Sequence, residues 1–305
     1  MNAVSLNQVV KRYGQRPALC GLTMIVPRGS ICALIGPNGC GKTTTMGVIA
    51  GLLKFESGTS NILGAGPFDA KTHAGELSLM PQDATPSVHV PIIDSLCFYA
   101  ELQGMTRDEA KRSALECLAK VQLSDRASAY FAQLSHGMRR RFSIAQALLG
   151  NPKLILLDEP TSGLDPELVV QIREIVLRQR GEATLLISSH ILSELETMCD
   201  YAIFMDHGQA VRQGTMAELT SSGSVVRFTL SRMPDLHELE LRMQGCSFQW
   251  SAPTLTIRTP RSQSIEATNA VCLPVLLGQG VGILEIGTGQ SLEAAYMNLK
   301  QGYPT

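Results

Sequence analysis

The chain has 305 residues, 44% of them hydrophobic, enough for one large domain and a small one. Its 27 acids and 26 Lys and Arg nearly cancel, leaving a net charge of −1 and no broad basic field with which to hold nucleic acid. Residues 1–14 lack the basic start and apolar run of a signal peptide, and the longest weakly polar stretch, residues 270–284, is shorter than the ~20 residues that span a bilayer. A soluble protein is expected, so any membrane role requires a partner.

Residues 1–220 alternate short β-rich runs with helical patterns, as a layered α/β domain does. Ile31-Cys-Ala-Leu-Ile35 is an apolar run ended by glycine, which predicts a buried strand. The loop 36–41 follows, then a helix from Lys42 to Ala50. Residues 93–150 are mostly helical in pattern, an insertion in the α/β core. Leu154–Leu157 reads as a second buried strand, Thr184–Ser188 and Ala202–Met205 as further strands, and Leu192–Met198 as a helix.

Ser221-Ser-Gly-Ser224 marks a change of composition and a hinge. Beyond it, residues 221–305 predict a small α+β domain. Its order is strand 225–230, helix 235–244, strands 247–250 and 254–258, helix 262–273, strand 281–286 and helix 291–300. That β-α-β-β-α-β order matches a ferredoxin-like split motif.

Gly36-Pro37-Asn38-Gly39-Cys40-Gly41-Lys42-Thr43 fits G-x-x-x-x-G-K-[ST] at every fixed position, with Thr44 extending it. Small residues let backbone N–H groups wrap phosphates, and the following helix aims its positive end at them. Lys42 can reach the β- and γ-phosphates, and the Thr43 hydroxyl can ligate Mg²⁺. ATP and Mg²⁺ are the implied ligands. The eight cysteines never fall at C-x-x-C spacing, so neither a zinc site nor a disulfide framework is expected. Cys40 lies beside a helix N-terminus, where a thiolate pKa tends to fall, but the favoured reading is that position 40 simply takes any small residue.

Leu154-Ile-Leu-Leu-Asp158-Glu159-Pro160 places two carboxylates at the C-terminal end of a buried strand, where ligands of open α/β sheets bind. Adjacent residues at a strand end point in different directions. Asp158 is the candidate Mg²⁺-supporting acid, and Glu159 the candidate general base toward the attacking water.

Leu134-Ser135-His136-Gly137-Met138-Arg139-Arg140-Arg141, with Asp158-Glu-Pro-Thr-Ser-Gly-Leu-Asp165, resembles the ABC (ATP-binding cassette) ATPase family over residues 3–220. The resemblance implies a P-loop cassette with a mixed sheet, an antiparallel β subdomain and a helical insertion. Ser135 and Gly137 resemble the residues that contact the γ-phosphate across a dimer, while His136 and Met138 depart from the family's L-S-G-G-Q. Tyr13 resembles the aromatic that stacks on adenine, and Gln82 the glutamine that touches Mg²⁺ and water. His190 resembles the switch histidine at the γ-phosphate, and Asp165 the acid that bridges protomers.

One cassette is present where the family's site needs two, so a second protomer is implied, a homodimer in the favoured case. The resemblance further implies a multi-span membrane permease and a place on the cytoplasmic face of the membrane. The groove for the permease's coupling helix lies in the region that includes Val90–Tyr99. Lys-Arg-Tyr-Gly, the Arg-rich signature and the short tail resemble ABC-2 type exporter ATPases of drug, polysaccharide or ion export. Two other classes stay open at this stage: soluble translation or repair ATPases, and a nucleotide-binding subunit with weak hydrolysis.

Overall fold

The computed structural model describes residues 1–81, 86, 88–220, 225–260, 264–289 and 291–301. The elements in order are β1 (Asn2–Tyr13), β2 (Arg16–Pro27), β3 (Ile31–Ile35), α1 (Lys42–Ile49), β4 (Ser57–Ile62) and β5 (Leu77–Met80). Then come α2 (Ile92–Leu102), α3 (Arg107–Lys120), α4 (His136–Ala147), β6 (Leu154–Asp158), α5 (Pro166–Leu177), β7 (Thr184–Ser189), α6 (Leu192–Met198), β8 (Tyr201–Asp206) and β9 (Gln209–Thr215). The chain ends with α7 (Met216–Thr220), β10 (Val225–Leu230), α8 (His237–Arg242), β11 (Ser247–Ser251), β12 (Thr254–Arg258), α9 (Ile265–Gly278), β13 (Ile283–Thr288) and α10 (Leu292–Gln301).

The chain divides into two compact units, Met1–Gly214 and Thr215–Thr305. The division falls before the compositional change at Ser221, because α7 lies against α10 and buries Leu219. The hinge expected at residues 221–224 lies outside the described residues.

In the first unit, β3, β6 and β7 are buried at every position. They belong to a six-stranded sheet of order β5-β6-β7-β3-β8-β9, and the pairs from β5 through β8 are parallel. Strands covered on both faces have no polar side to show, which is why they read as unbroken apolar runs. A second sheet, β2-β1-β4, is antiparallel and built on two 12-residue strands. Leu6, Met24, Leu34, Met46, Ile49 and Leu156 share one core that joins both sheets and α1.

Helices α2, α3 and α4 pack on one another. A reciprocal capping box starts α3: the Thr106 hydroxyl accepts from Glu109 N–H, and the Glu109 carboxylate accepts from Thr106 N–H at 2.8 Å. Among the described residues, no helix is long and apolar enough to cross a membrane.

The second unit is a four-stranded antiparallel sheet of order β11-β12-β10-β13. With two helices joining the strands, that is the order of a split β-α-β motif. Val226, Phe228, Leu255 and Ile257 form its core with residues of α8 and α9. Helix α9 runs through Pro274 to Gly278, past the stop expected at residue 273. Proline there removes one helical hydrogen bond, yet burial of Val275 and Leu276 holds the turn beyond it.

Candidate functional site

The site is assembled by register. β7 lies between β6 and β3, with Asp158 paired to Ser188 and Ile35 paired to Ser189. Three chain segments therefore leave the sheet side by side: the loop after Ile35, the acids after Leu157, and His190 after Ser189. Around them lies a cavity of about 620 Å³, lined by Tyr13, Asn38, Gly39, Gly41, Lys42, Thr43, Thr44, Asp158, Glu159 and His190, and also by Arg16 and Ser162.

The loop is held by its own backbone. Lys42, 7% exposed, donates through its ammonium to Gly36 O at 2.8 Å and Pro37 O at 3.3 Å, which carries it back over the loop. Gly41 sits at φ 110 as the residue before α1, and a Cβ there would come 2.8 Å from Ala18 O, so only glycine fits. A Cβ on Gly36 would strike Met205 O and the Cys40 sulfur. Cys40 therefore fills the space that Gly36 leaves, and it is 4% exposed. Burial pushes its thiol above the usual range, opposed only in part by Lys42. The helix N-terminus does not lower this thiol's pKa, because desolvation outweighs the nearby positive charge, and the burial agrees with the favoured reading of position 40 as a small-residue site.

Asp158 and Glu159 are both buried, at 2% and 7% exposure. Ser188 Oγ accepts the Glu159 N–H at 2.8 Å and donates to Asp158 Oδ1. Glu159 has φ 50, a left-handed conformation that an L side chain adopts at a cost of about 1–3 kcal/mol. It is held there from both sides. Ser188 takes its N–H, while Arg140 of α4 donates to its carbonyl and to Pro160 O, the latter at 2.9 Å. The carboxylate lies 2.9 Å from His190 Nδ1, a hydrogen bond it accepts in the tautomer that carries the proton on that nitrogen.

Ser135, Gly137 and Asp165 stand apart from this cavity. Ser135 caps α4, accepting from Met138 N–H at 3.3 Å, and Asp165 caps α5, accepting from Leu168 N–H at 3.0 Å. Gly137 is buried, and a Cβ on it would strike Leu168. Tyr13 is 51% exposed at the cavity mouth, with Lys11 Nζ 5.4 Å from its ring centre. Gln82 lies outside the described residues. Ser188, Arg140, Arg16 and Ser162 were not singled out from sequence. Ser188 alone left a trace there, in the serine pair before His190.

A family model described as ABC transporter matches residues 19–162. Linearmycin resistance ATP-binding protein LnrL of Bacillus subtilis is 31% identical, covering 77% of this chain and 82% of that protein. Daunorubicin/doxorubicin resistance ATP-binding protein DrrA of Streptomyces peucetius is 34% identical, with 75% and 70% covered. For Nod factor export ATP-binding protein I of Burkholderia orbicola the figures are 31%, 72% and 73%. A solved ATP-binding subunit of an ABC transporter aligns with TM-score 0.64 and 28% identity over 71% of this chain and 91% of its own.

A P-loop cassette whose acids, loop and histidine share one cavity defines a nucleoside-triphosphate hydrolase of the α/β class. The chain belongs to the ABC transporter family, as an ATP-binding, ATP-hydrolysing subunit.

Proposed function

We propose that two copies of this chain close over two ATP molecules and drive export through a separate membrane permease, from the cytoplasmic face of the membrane. The observation that carries this is the Glu159 carboxylate, buried against His190 at 2.9 Å and facing the cavity of the phosphate loop. Support for the export direction comes from the relatives named for linearmycin resistance, daunorubicin/doxorubicin resistance and Nod factor export.

In this reading Tyr13 stacks on adenine, while Gly36, Pro37, Asn38, Gly39, Cys40, Gly41 and Thr44 shape the phosphate cradle. Lys42 neutralises the β- and γ-phosphates. Thr43 and Asp158 offer hard oxygens to the same cavity, the donor type Mg²⁺ takes, and Gln82 joins them by resemblance. Bound there, the metal would supply charge neutralisation at the phosphates. Glu159 orients a water and receives its proton as the water oxygen attacks the γ-phosphorus; the bond to the β–γ bridging oxygen breaks, giving ADP and phosphate. His190 fixes the Glu159 carboxylate and meets the γ-phosphate. Ser135, Gly137 and Asp165 sit outside their own cavity, as residues serving a partner copy should.

The test is Glu159→Gln. It should keep ATP binding, lower turnover by roughly 10²-fold or more, and shift the light-scattering mass with MgATP to that of a dimer. Turnover at the wild-type rate, or full activity in a strictly monomeric species, overturns this function. A tagged chain recovered from detergent-solubilised membranes should carry a multi-span protein with it.

A further inference from the structure

The second unit holds a cleft of about 780 Å³ to which the proposed function assigns no role. Its floor is the face of the four-stranded sheet opposite α8 and α9. Strand alternation decides which side chains stand there. Val226, Phe228, Leu255 and Ile257 turn into the helix-covered core, so Arg227, Thr254, Thr256 and Arg258 line the cleft. One register row runs Gln249–Thr256–Arg227–Gly287, and Arg258 stands in the next row opposite Val225.

The two arginines are thus diagonal neighbours on adjacent strands, about 7–8 Å apart at the backbone and within reach at their tips. Gly287 gives Arg227 room, since a Cβ there would lie 3.7 Å from Nε and 3.8 Å from Nη2. Glu293 and Met297 of α10 form one wall.

Two like charges on one sheet face repel, and a fold tolerates them most readily where something anionic lies between. Neither guanidinium forms an ion pair or a hydrogen bond with a described residue. Glu293 is the cleft's only acid among the described residues, so the lining carries a surplus of one positive charge. Around the arginines stand the hydroxyls of Thr254 and Thr256 and the amide of Gln249. The volume falls in the range of about 300–1,000 Å³ typical of small-molecule sites. Guanidinium forks match the planar oxygens of carboxylate and phosphate.

We propose that this cleft binds a small organic oxyanion, with Arg227 and Arg258 gripping its carboxylate or phosphate and Thr256 and Gln249 fixing its orientation. The test is calorimetric titration of the full chain at constant ionic strength, with the phosphate loop filled by MgADP and beryllium fluoride so that the γ-position is occupied. Inorganic phosphate and succinate are the two probes. At least one should bind saturably, with a Kd on the order of 0.1–1 mM. Phosphate alone saturating identifies a phosphoryl ligand, and succinate alone a carboxylate.

Arg227→Ala and Arg258→Ala should each weaken binding by about tenfold, and Arg227→Lys, which keeps charge but loses the fork, by less. Affinity for MgADP should not change, and Trp250, the chain's single tryptophan, reports that the unit remains folded. Titrations that never saturate with either probe overturn the proposal. So does saturable binding that survives the double alanine variant.

Discussion

Ser188→Ala tests whether one hydroxyl holds the two catalytic acids in place. Ser188 is fully buried, accepts the Glu159 N–H and donates to Asp158. Alanine leaves a buried amide without a partner, worth about 1–3 kcal/mol, and strips a carboxylate of one bond, worth about 1.5–3 kcal/mol. Allowing for relaxation, the first unit should lose about 3 kcal/mol of stability. With a urea slope near 3 kcal/mol/M for a unit of this size, the midpoint falls by about 1 M.

Far-UV circular dichroism follows both units, whereas Trp250 lies in the second and serves as an internal control. Two transitions must be resolved, because a two-unit chain need not unfold in one step. The circular dichroism transition of the first unit should move while that of Trp250 stays. Turnover should fall as well, since Glu159 loses one of the ties that hold its left-handed backbone. A shift under about 0.5 kcal/mol with unchanged turnover would refute the reasoning.

Lys42→Ala should weaken ATP binding by about tenfold or more in a fluorescent-nucleotide titration, since a buried ammonium at the phosphates is lost; retained tight binding shows the loop is misread. Arg140→Ala removes the donor to the Glu159 and Pro160 carbonyls. Turnover should drop by about tenfold with ATP affinity kept, and Arg140→Lys should recover part of it. In a chain keeping only Cys40, maleimide labelling should be slower than that of a free thiol at neutral pH. Because burial raises the thiol's pKa, it stays protonated to higher pH than an exposed thiol, and its labelling rate should climb later in the pH profile than that of an exposed cysteine; a profile that rises earlier than the exposed thiol's contradicts the burial account.

Much of the cassette was legible because its signals are local. The apolar run Ile31–Ile35 became β3 with those bounds, and Leu192–Met198 became α6 with those bounds. The loop between Gly36 and Lys42 carries its chemistry in adjacent residues. One boundary misled: the helix expected to end at residue 273 runs on through Pro274 to Gly278, because core burial holds its last turn. Arg140 was illegible, and Ser188 nearly so, for the opposite reason: a serine before a histidine and an arginine among arginines are ordinary until something lies opposite them.

From the residue order alone came the phosphate loop, the paired acids, the single cassette and the strand–helix sequence of the second unit. Tertiary structure alone decided that Asp158 faces Ser188, that Ile35 faces Ser189, and that Arg227 and Arg258 share one face. The physical reason is that motif chemistry is fixed by covalent neighbours, whereas strand register is fixed by which faces are buried, and a slip of one residue would turn every one of these side chains away.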